Sequence, residues 1–144
     1  MNIELREPKT ADDFALYYDL RWRILRKPWT QDRESSRDEH ESQAVHLMAW
    51  VGNTLVGVGR LHFNAPEEAQ IRYMAVEESH AGRGVGTVIL EELEVRAKRA
   101  GATRIVANAR ETALSFYKNN GYRSIERADT LFETLPHWRV FKTC

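Results

Sequence analysis

The residues best suited to chemistry sit close together in the second half of the chain. Ala81-Gly82-Arg83-Gly84-Val85-Gly86-Thr87 follows the strand-like run Ile71-Arg72-Tyr73-Met74-Ala75-Val76 after a short loop, and opens a segment of helical spacing. Glycines let a backbone come close to a ligand, and the amides of a helix's first turn, with the helix dipole behind them, attract an anion. The pattern predicts a phosphate or pyrophosphate site. Its spacing disfavours two familiar forms. The dinucleotide fingerprint G-x-G-x-x-G meets Ile89 when counted from Gly84 and Thr87 when counted from Gly82. A P-loop needs Gly-Lys-Ser/Thr after four residues, and Gly82 is followed there by Thr87. The plainer alternative is a turn that only lets strand and helix pack; glycines at 82, 84 and 86 favour the anion site.

A strand must lead into that turn and a helix must leave it. Gln70–Val76 reads as the strand. A helix runs from Gly84 to Ala100, with Val85, Ile89, Leu93, Ala97 and Ala100 on one stripe and Gly101 as its stop. Upstream, residues 2–6 alternate like a strand. Thr10 offers an N-cap with Asp12 and Asp13 in the first turn, and Phe14, Tyr17, Leu20 and Ile24 follow at helical spacing until Pro28. Residues 30–43 are polar and mostly acidic, and read as a loop or a short solvated helix. Val45–Val51 and Thr54–Asn64 flank Gly52-Asn53, a hairpin signal, and Ala65–Glu68 makes the next turn. Arg104–Ala109 is a strand, Glu111–Asn120 a second helix ended by Gly121, and Tyr122–Arg127 and His137–Lys142 the final strands. The order β-α-β-β-β-α-β-α-β-β indicates a mixed α/β or α+β domain with a strand–helix–strand crossover.

Composition sets the outer bounds. The 144 residues suit a single domain, and 42% hydrophobic residues argue against disorder. The longest apolar run, Leu47–Val51, cannot span a bilayer, and the first residues lack an apolar signal-peptide centre, so a cytoplasmic protein is expected. Cys144 is the lone cysteine, which excludes an internal disulfide framework and a Cys-rich metal site; no metal is expected. Lys plus Arg (21) balance Asp plus Glu (21), so there is no global attraction for nucleic acid or an anionic membrane. That balance hides local unevenness, because the acidic 30–43 segment offsets basic patches at 21–27 and around Arg83.

The run Met74-x-Val76, then Arg83-Gly84-x-Gly86 with its helix, then Ala113-x-x-Phe116-Tyr117-x-x-x-Gly121-Tyr122, resembles the GNAT superfamily of N-acetyltransferases. Segments 20–28, 58–62 and 109–111 extend the likeness to nearly the whole chain, towards the GNAT half of bacterial proteins that fuse it to a thioesterase-like hot-dog domain. The resemblance implies the GNAT acyl-CoA N-acyltransferase fold, a mixed, mostly antiparallel sheet flanked by helices with splayed central strands, over one domain spanning 1–144. It implies acetyl-CoA or another acyl-CoA as co-substrate. Met74, Ala75 and Val76 would lie along the pantetheine arm and polarise the thioester carbonyl. Gly82, Arg83, Gly84, Val85, Gly86 and Thr87 would hold the pyrophosphate. Tyr117 would protonate the departing sulfur. Two positions depart from the family pattern: Ala81 stands where the signature begins with Gln or Arg, and Arg110 stands where many members place an Asn near the pantetheine.

Acyl transfer by direct attack in a ternary complex needs a neutral amine, a polarised carbonyl and a protonated leaving thiolate. The strand before Val76 lacks the acid that many relatives carry there, which leaves Glu68, His62, His46, Glu111 or a water as general base. His80 reads as a solvated loop residue, and His137 as packing or cleft lining. Arg21, Arg23, Arg26 and Lys27 read as a solvated cationic helix face, the sharper alternative being recognition of an anionic acceptor or an acidic carrier protein. The acceptor is expected to be a small-molecule amine or a protein, and a homodimer is compatible with the family. Two other functions compete: a non-catalytic acyl-CoA or acyl-carrier binding module, and chemistry on a carrier-bound acyl thioester.

Overall fold

The structure, a computed structural model, describes residues 1–131 and 135–144. Seven strands form one sheet in the order β1-β2-β3-β4-β5-β7-β6, antiparallel at β1–β2, β2–β3, β5–β7 and β6–β7 and parallel at β4–β5. The strands are β1 (Glu4–Arg6), β2 (Val45–Val51), β3 (Thr54–Ala65), β4 (Glu68–Val76), β5 (Arg104–Arg110), β6 (Arg123–Leu131) and β7 (Leu135–Thr143). The helices are α1 (Ala11–Leu25), α2 (Val85–Arg99) and α3 (Leu114–Asn119). This is the mixed α/β class and element order expected from the sequence. The chain divides into two compact units, residues 1–62 with 73–93, and residues 63–72 with 94–144.

In the first unit, α1 starts at a capping box. Asp13 donates its amide to the Thr10 hydroxyl at 3.0 Å, and its carboxylate accepts the amides of Lys9 and Thr10 at 2.9 and 3.2 Å. Those backbone donors hold the Asp13 carboxyl below its ordinary pKa. Tyr17 and Leu20 of α1 pack with Met48, Leu55, Val58 and Ala75 to form the core, flanked by Phe14, Ile24 and Trp50. The β2–β3 hairpin turns at Gly52, in the left-handed region at φ 59°, with Val51 opposite Thr54. Two further glycines, Gly57 and Gly59 on β3, make the seat for α2. A Cβ at Gly57 would meet Val85 and Ile89 at 2.8 and 2.9 Å; one at Gly59 would meet the Met74 sulfur at 2.5 Å and Ile89 at 2.7 Å.

In the second unit, β5 lies between β4, paired in parallel from Glu68 opposite Arg104 to Ile71 opposite Ala107, and β7, paired in antiparallel. That parallel ladder draws Glu68 and Ala69 into β4, two residues earlier than the sequence pattern places its start. Ile105, Val106, Ala107 and Val140 are buried. Helix α3 is shorter than the expected Glu111–Asn120. Residues Glu111–Ala113 form a 3-10 turn before α3, because Arg110 supplies no side-chain cap to the first amides. Strands β6 and β7 run further than the expected 122–127 and 137–142.

Candidate active site

In the first unit, β4 delivers Met74, Ala75 and Val76 to the loop that leads into α2. Gly82 and Gly84 sit at φ 73° and 86°, and a Cβ at either would touch nothing within 4 Å. Conformation, not crowding, therefore selects glycine at both positions. The Val88 amide bonds the Gly84 carbonyl at 3.1 Å, so Gly84 caps α2 and the amides of Val85 and Gly86 lie ahead of the helical ladder. The first turn of α2 holds no acidic residue, and Gly82, Arg83 and Gly84 are exposed. An open helix N-terminus with a left-handed approach and one adjacent guanidinium fits a pyrophosphate. Gly86 and Thr87 are half-buried on the first turn.

Tyr73, just before Met74, is unusual. Its φ of 59° puts an aromatic residue in left-handed space, which costs on the order of 1–3 kcal/mol. The guanidinium carbons of Arg21, Arg60 and Arg26 lie 4.2, 4.9 and 5.8 Å from its ring centroid. Arg21 and Arg60 are wholly buried. Arg21 donates to the Ser36 carbonyl at 2.8 Å, to Glu41 at 3.0 Å and to the Tyr17 hydroxyl at 2.9 Å. Arg60 donates to Asp38 at 2.6 and 2.9 Å, to Glu41, and to Nδ1 of His62 at 2.8 Å. Burial works to raise the Glu41 carboxyl, but Arg21 and Arg60 prevail and hold it below the ordinary range. The Nε–H groups of Arg21 and Arg60 are buried without a hydrogen-bond partner among the described residues. Desolvated cation–π contacts contribute about 2 kcal/mol each, which offsets the backbone cost at Tyr73.

This network corrects two expectations. The cations at 21–27 are not one solvated helix face: Lys27 is exposed, but Arg21 and Arg26 are buried. Arg21 is at 0% and Arg26 at 5% exposure, with Arg26 donating to the Ser35 carbonyl. Arg23 is bound to Asp19 at 2.8 Å and to Glu77 at 3.0 and 3.2 Å. Nor is the 30–43 segment plain solvated surface. Ser36 is buried, and Asp38 and Glu41 turn inward to neutralise the two arginines. The sequence signal was available in the chemistry: a carboxylate-rich segment and nearby arginines, which pair because neither could be buried alone.

The proposed bases are placed as follows. His46 accepts from the Tyr17 hydroxyl at 2.8 Å through Nδ1 and donates through Nε2 to the Glu41 carbonyl at 2.7 Å, so both ring nitrogens are committed. Burial holds its pKa below the ordinary value. Arg60 can only donate, so His62 accepts at Nδ1 and carries its proton on Nε2; its ring stacks on His40 at 4.0 Å. Glu68, in the second unit, accepts from Asn64 and Arg104, which keep its carboxyl below the ordinary value. Glu111 is exposed on the turn after β5. His80 bonds the Ser79 hydroxyl at 2.8 Å, and His137 stands opposite Arg110 in the β5–β7 ladder.

The second unit holds Tyr117 on α3. It is 6% exposed, its ring packs edge-on against Phe116 and Tyr122 at 5.1 and 5.3 Å, and burial pushes its phenol well above the ordinary value. The end of α3 is tied down. Gly121 turns at φ 91°, and Lys142 donates to the Asn120 carbonyl at 3.0 Å and to Glu94 at 3.2 Å. Glu94 also accepts from the Tyr122 hydroxyl at 2.7 Å. Arg110 ends β5, half-buried.

Fold and glycine turn fit the acyl-CoA acyltransferase class. The model of the Acetyltransferase (GNAT) family matches residues 14–122, and the chain belongs to that family. It is an N-acetyltransferase. The chain is 30% identical over 134 residues to the uncharacterized N-acetyltransferase YjcF of Bacillus subtilis, covering 93% of this chain and 95% of that one. Solved structures share the fold. Escherichia coli ElaA superposes with a TM-score of 0.82 at 15% identity, covering 98% of this chain and 99% of that one. A GNAT family acetyltransferase from Elizabethkingia anophelis with acetyl-CoA bound does so with 0.81 at 18% identity, covering 99% of each. Among the described residues no helix is long and apolar enough to cross a membrane, and no group of three or more His, Cys, Asp or Glu is placed to hold a metal.

Proposed function

We propose that the chain is one acyltransferase domain over 1–144 that takes the acetyl group of acetyl-CoA as co-substrate and passes it to an amine by direct attack. The observation that carries this reading is the pair of left-handed, exposed glycines, Gly82 and Gly84, at the start of α2. Arg83 and the amides of Val85, Gly86 and Thr87 receive the pyrophosphate, and Arg110 contacts the pantetheine. Backbone groups of Met74, Ala75 and Val76 pair with the pantetheine as an added strand would and polarise the thioester carbonyl. Tyr117 gives its phenolic proton to the sulfur as the C–S bond breaks, so the thiol leaves neutral. The bonding of His46, His62 and Glu68 supports delivery of a neutral amine or a water relay over a side-chain base. The acceptor is a small-molecule amine or a protein, in a cytoplasmic setting consistent with a single cysteine.

A second reading, chemistry on an acyl group bound to a carrier protein, rests on the likeness of segments 20–28, 58–62 and 109–111 to proteins fused to a hot-dog domain. One experiment separates these. Acetyl-CoA is offered to an amine panel and to acyl carrier protein, and free thiol is followed for the wild type and Tyr117→Phe. Amine-dependent release supports the first reading, and release only with the carrier supports the second. Thermal stabilisation by CoA with no release in either arm leaves a binding module.

A further inference from the structure

The ladder between β4 and β5 ends at Ile71, and two residues later β4 passes through Tyr73 in the left-handed region. A left-handed residue turns the peptide planes that follow it, as bulges do when they re-aim a strand. The planes that follow Tyr73 are those of Met74, Ala75 and Val76. What holds the turn is the ring of Tyr73, 5% exposed, with Arg21 at 4.2 Å and Arg60 at 4.9 Å over it. Those guanidiniums are in turn fixed by Asp38 and Glu41 from the acidic segment. The chain of restraint runs from that segment, through two buried arginines and an aromatic ring, to the backbone that meets the thioester.

We propose that Tyr73 is a positioning residue for acyl transfer: Arg21 and Arg60 grip its ring, and the gripped ring sets the direction of the Met74–Val76 backbone. This deepens the acyltransferase reading and rests on it. The π face, rather than the hydroxyl, is what the role requires. Phenylalanine preserves the face; leucine keeps bulk and apolarity but offers the guanidiniums nothing to lie against.

The test uses the full chain, labelled with nitrogen-15, as wild type, Tyr73→Phe and Tyr73→Leu, with Tyr73→Met in place of leucine should that variant fail to fold. Backbone amide shifts of Met74–Val76 are recorded with and without acetyl-CoA, alongside thiol-release kinetics with the best amine of the panel. Tyr73→Phe is expected to keep the wild-type shifts and kcat. Tyr73→Leu or Tyr73→Met is expected to displace those amides and lower kcat about 100-fold, the scale of a small misplacement, with KM for acetyl-CoA little changed. Leucine or methionine matching phenylalanine in both readouts overturns the proposal, as does phenylalanine falling as far as leucine. Wild-type amides that ignore acetyl-CoA would instead count against the acyltransferase reading, while the variant shifts still report on the grip of Tyr73.

Discussion

The phenol of Tyr117 holds its proton at neutral pH with or without burial, and its packing among Phe116 and Tyr122 raises its pKa further. The proton it is proposed to give would therefore move only as negative charge builds on the sulfur beside it. Tyr117→Phe is expected to lower kcat about 100-fold while leaving the Kd for acetyl-CoA unchanged, measured by single-turnover thiol release and calorimetry. Glu41 makes a second residue-scale case. Its folded pKa lies below its unfolded one, so its contribution is present above the unfolded value and lost as pH falls through the folded value. Glu41→Gln, which leaves Arg21 and Arg60 under-compensated, should cost about 2 kcal/mol at pH 7. Denaturant titrations should show that gap closing as pH drops below about 4.3. The glycine turn ahead of α2 and the position of Tyr117 on a short helix before Gly121 were legible as elements, from their types and spacing. Tyr73 was not, because a positive φ on a tyrosine leaves no mark in the alternation of β4, where Ile71, Tyr73 and Ala75 all face inward as in any strand.

At the scale of elements, periodicity and turn chemistry located strands β1–β7 and helices α1–α3, and the errors fell at their ends. The start of β4 depends on a parallel ladder with residues 36 positions away, from Glu68 to Arg104, which no local pattern records. The seat of α2 was equally hidden, since Gly57 and Gly59 look like dispensable small residues until Ile89 is seen against them. Gly59→Ala should therefore overpack the seat and destabilise the fold by about 1–3 kcal/mol. It should also weaken acetyl-CoA binding by lifting the helix start. Gly84→Ala meets no neighbour, so its cost is conformational, about 1 kcal/mol, with weaker acetyl-CoA binding and an otherwise unaltered core. Thermal melts with and without acetyl-CoA distinguish the two variants from each other.

For the molecule as a whole, balanced charge at neutral pH does not mean an absence of electrostatics. Opposite charges are paired within the fold, in the buried Arg21–Glu41 and Arg60–Asp38 pairs and the part-exposed Arg23–Glu77 and Lys142–Glu94 pairs. Binding of acetyl-CoA to the folded chain alone should stabilise it by about 2.7 kcal/mol at a hundredfold excess over Kd, read as a concentration-dependent rise in Tm. The same rise should be smaller in Gly84→Ala at equal ligand concentration. If the helix start receives the pyrophosphate as proposed, removal of the 3′-phosphate from the ligand should matter less than removal of the pyrophosphate.

The near-complete burial of Tyr117 also bears on the turnover cycle. A phenol that has given its proton to a thiolate must be recharged before the next acetyl group arrives, and a ring with 6% of its surface exposed has little direct exchange with bulk water. The chain by itself already buries the ring, so product departure alone does not bring bulk water to it, and the proton shed by the newly acylated amine is the nearer source for recharging it. On the proposed mechanism the two proton transfers are coupled within one turnover, and a solvent deuterium effect should appear in the transfer step itself.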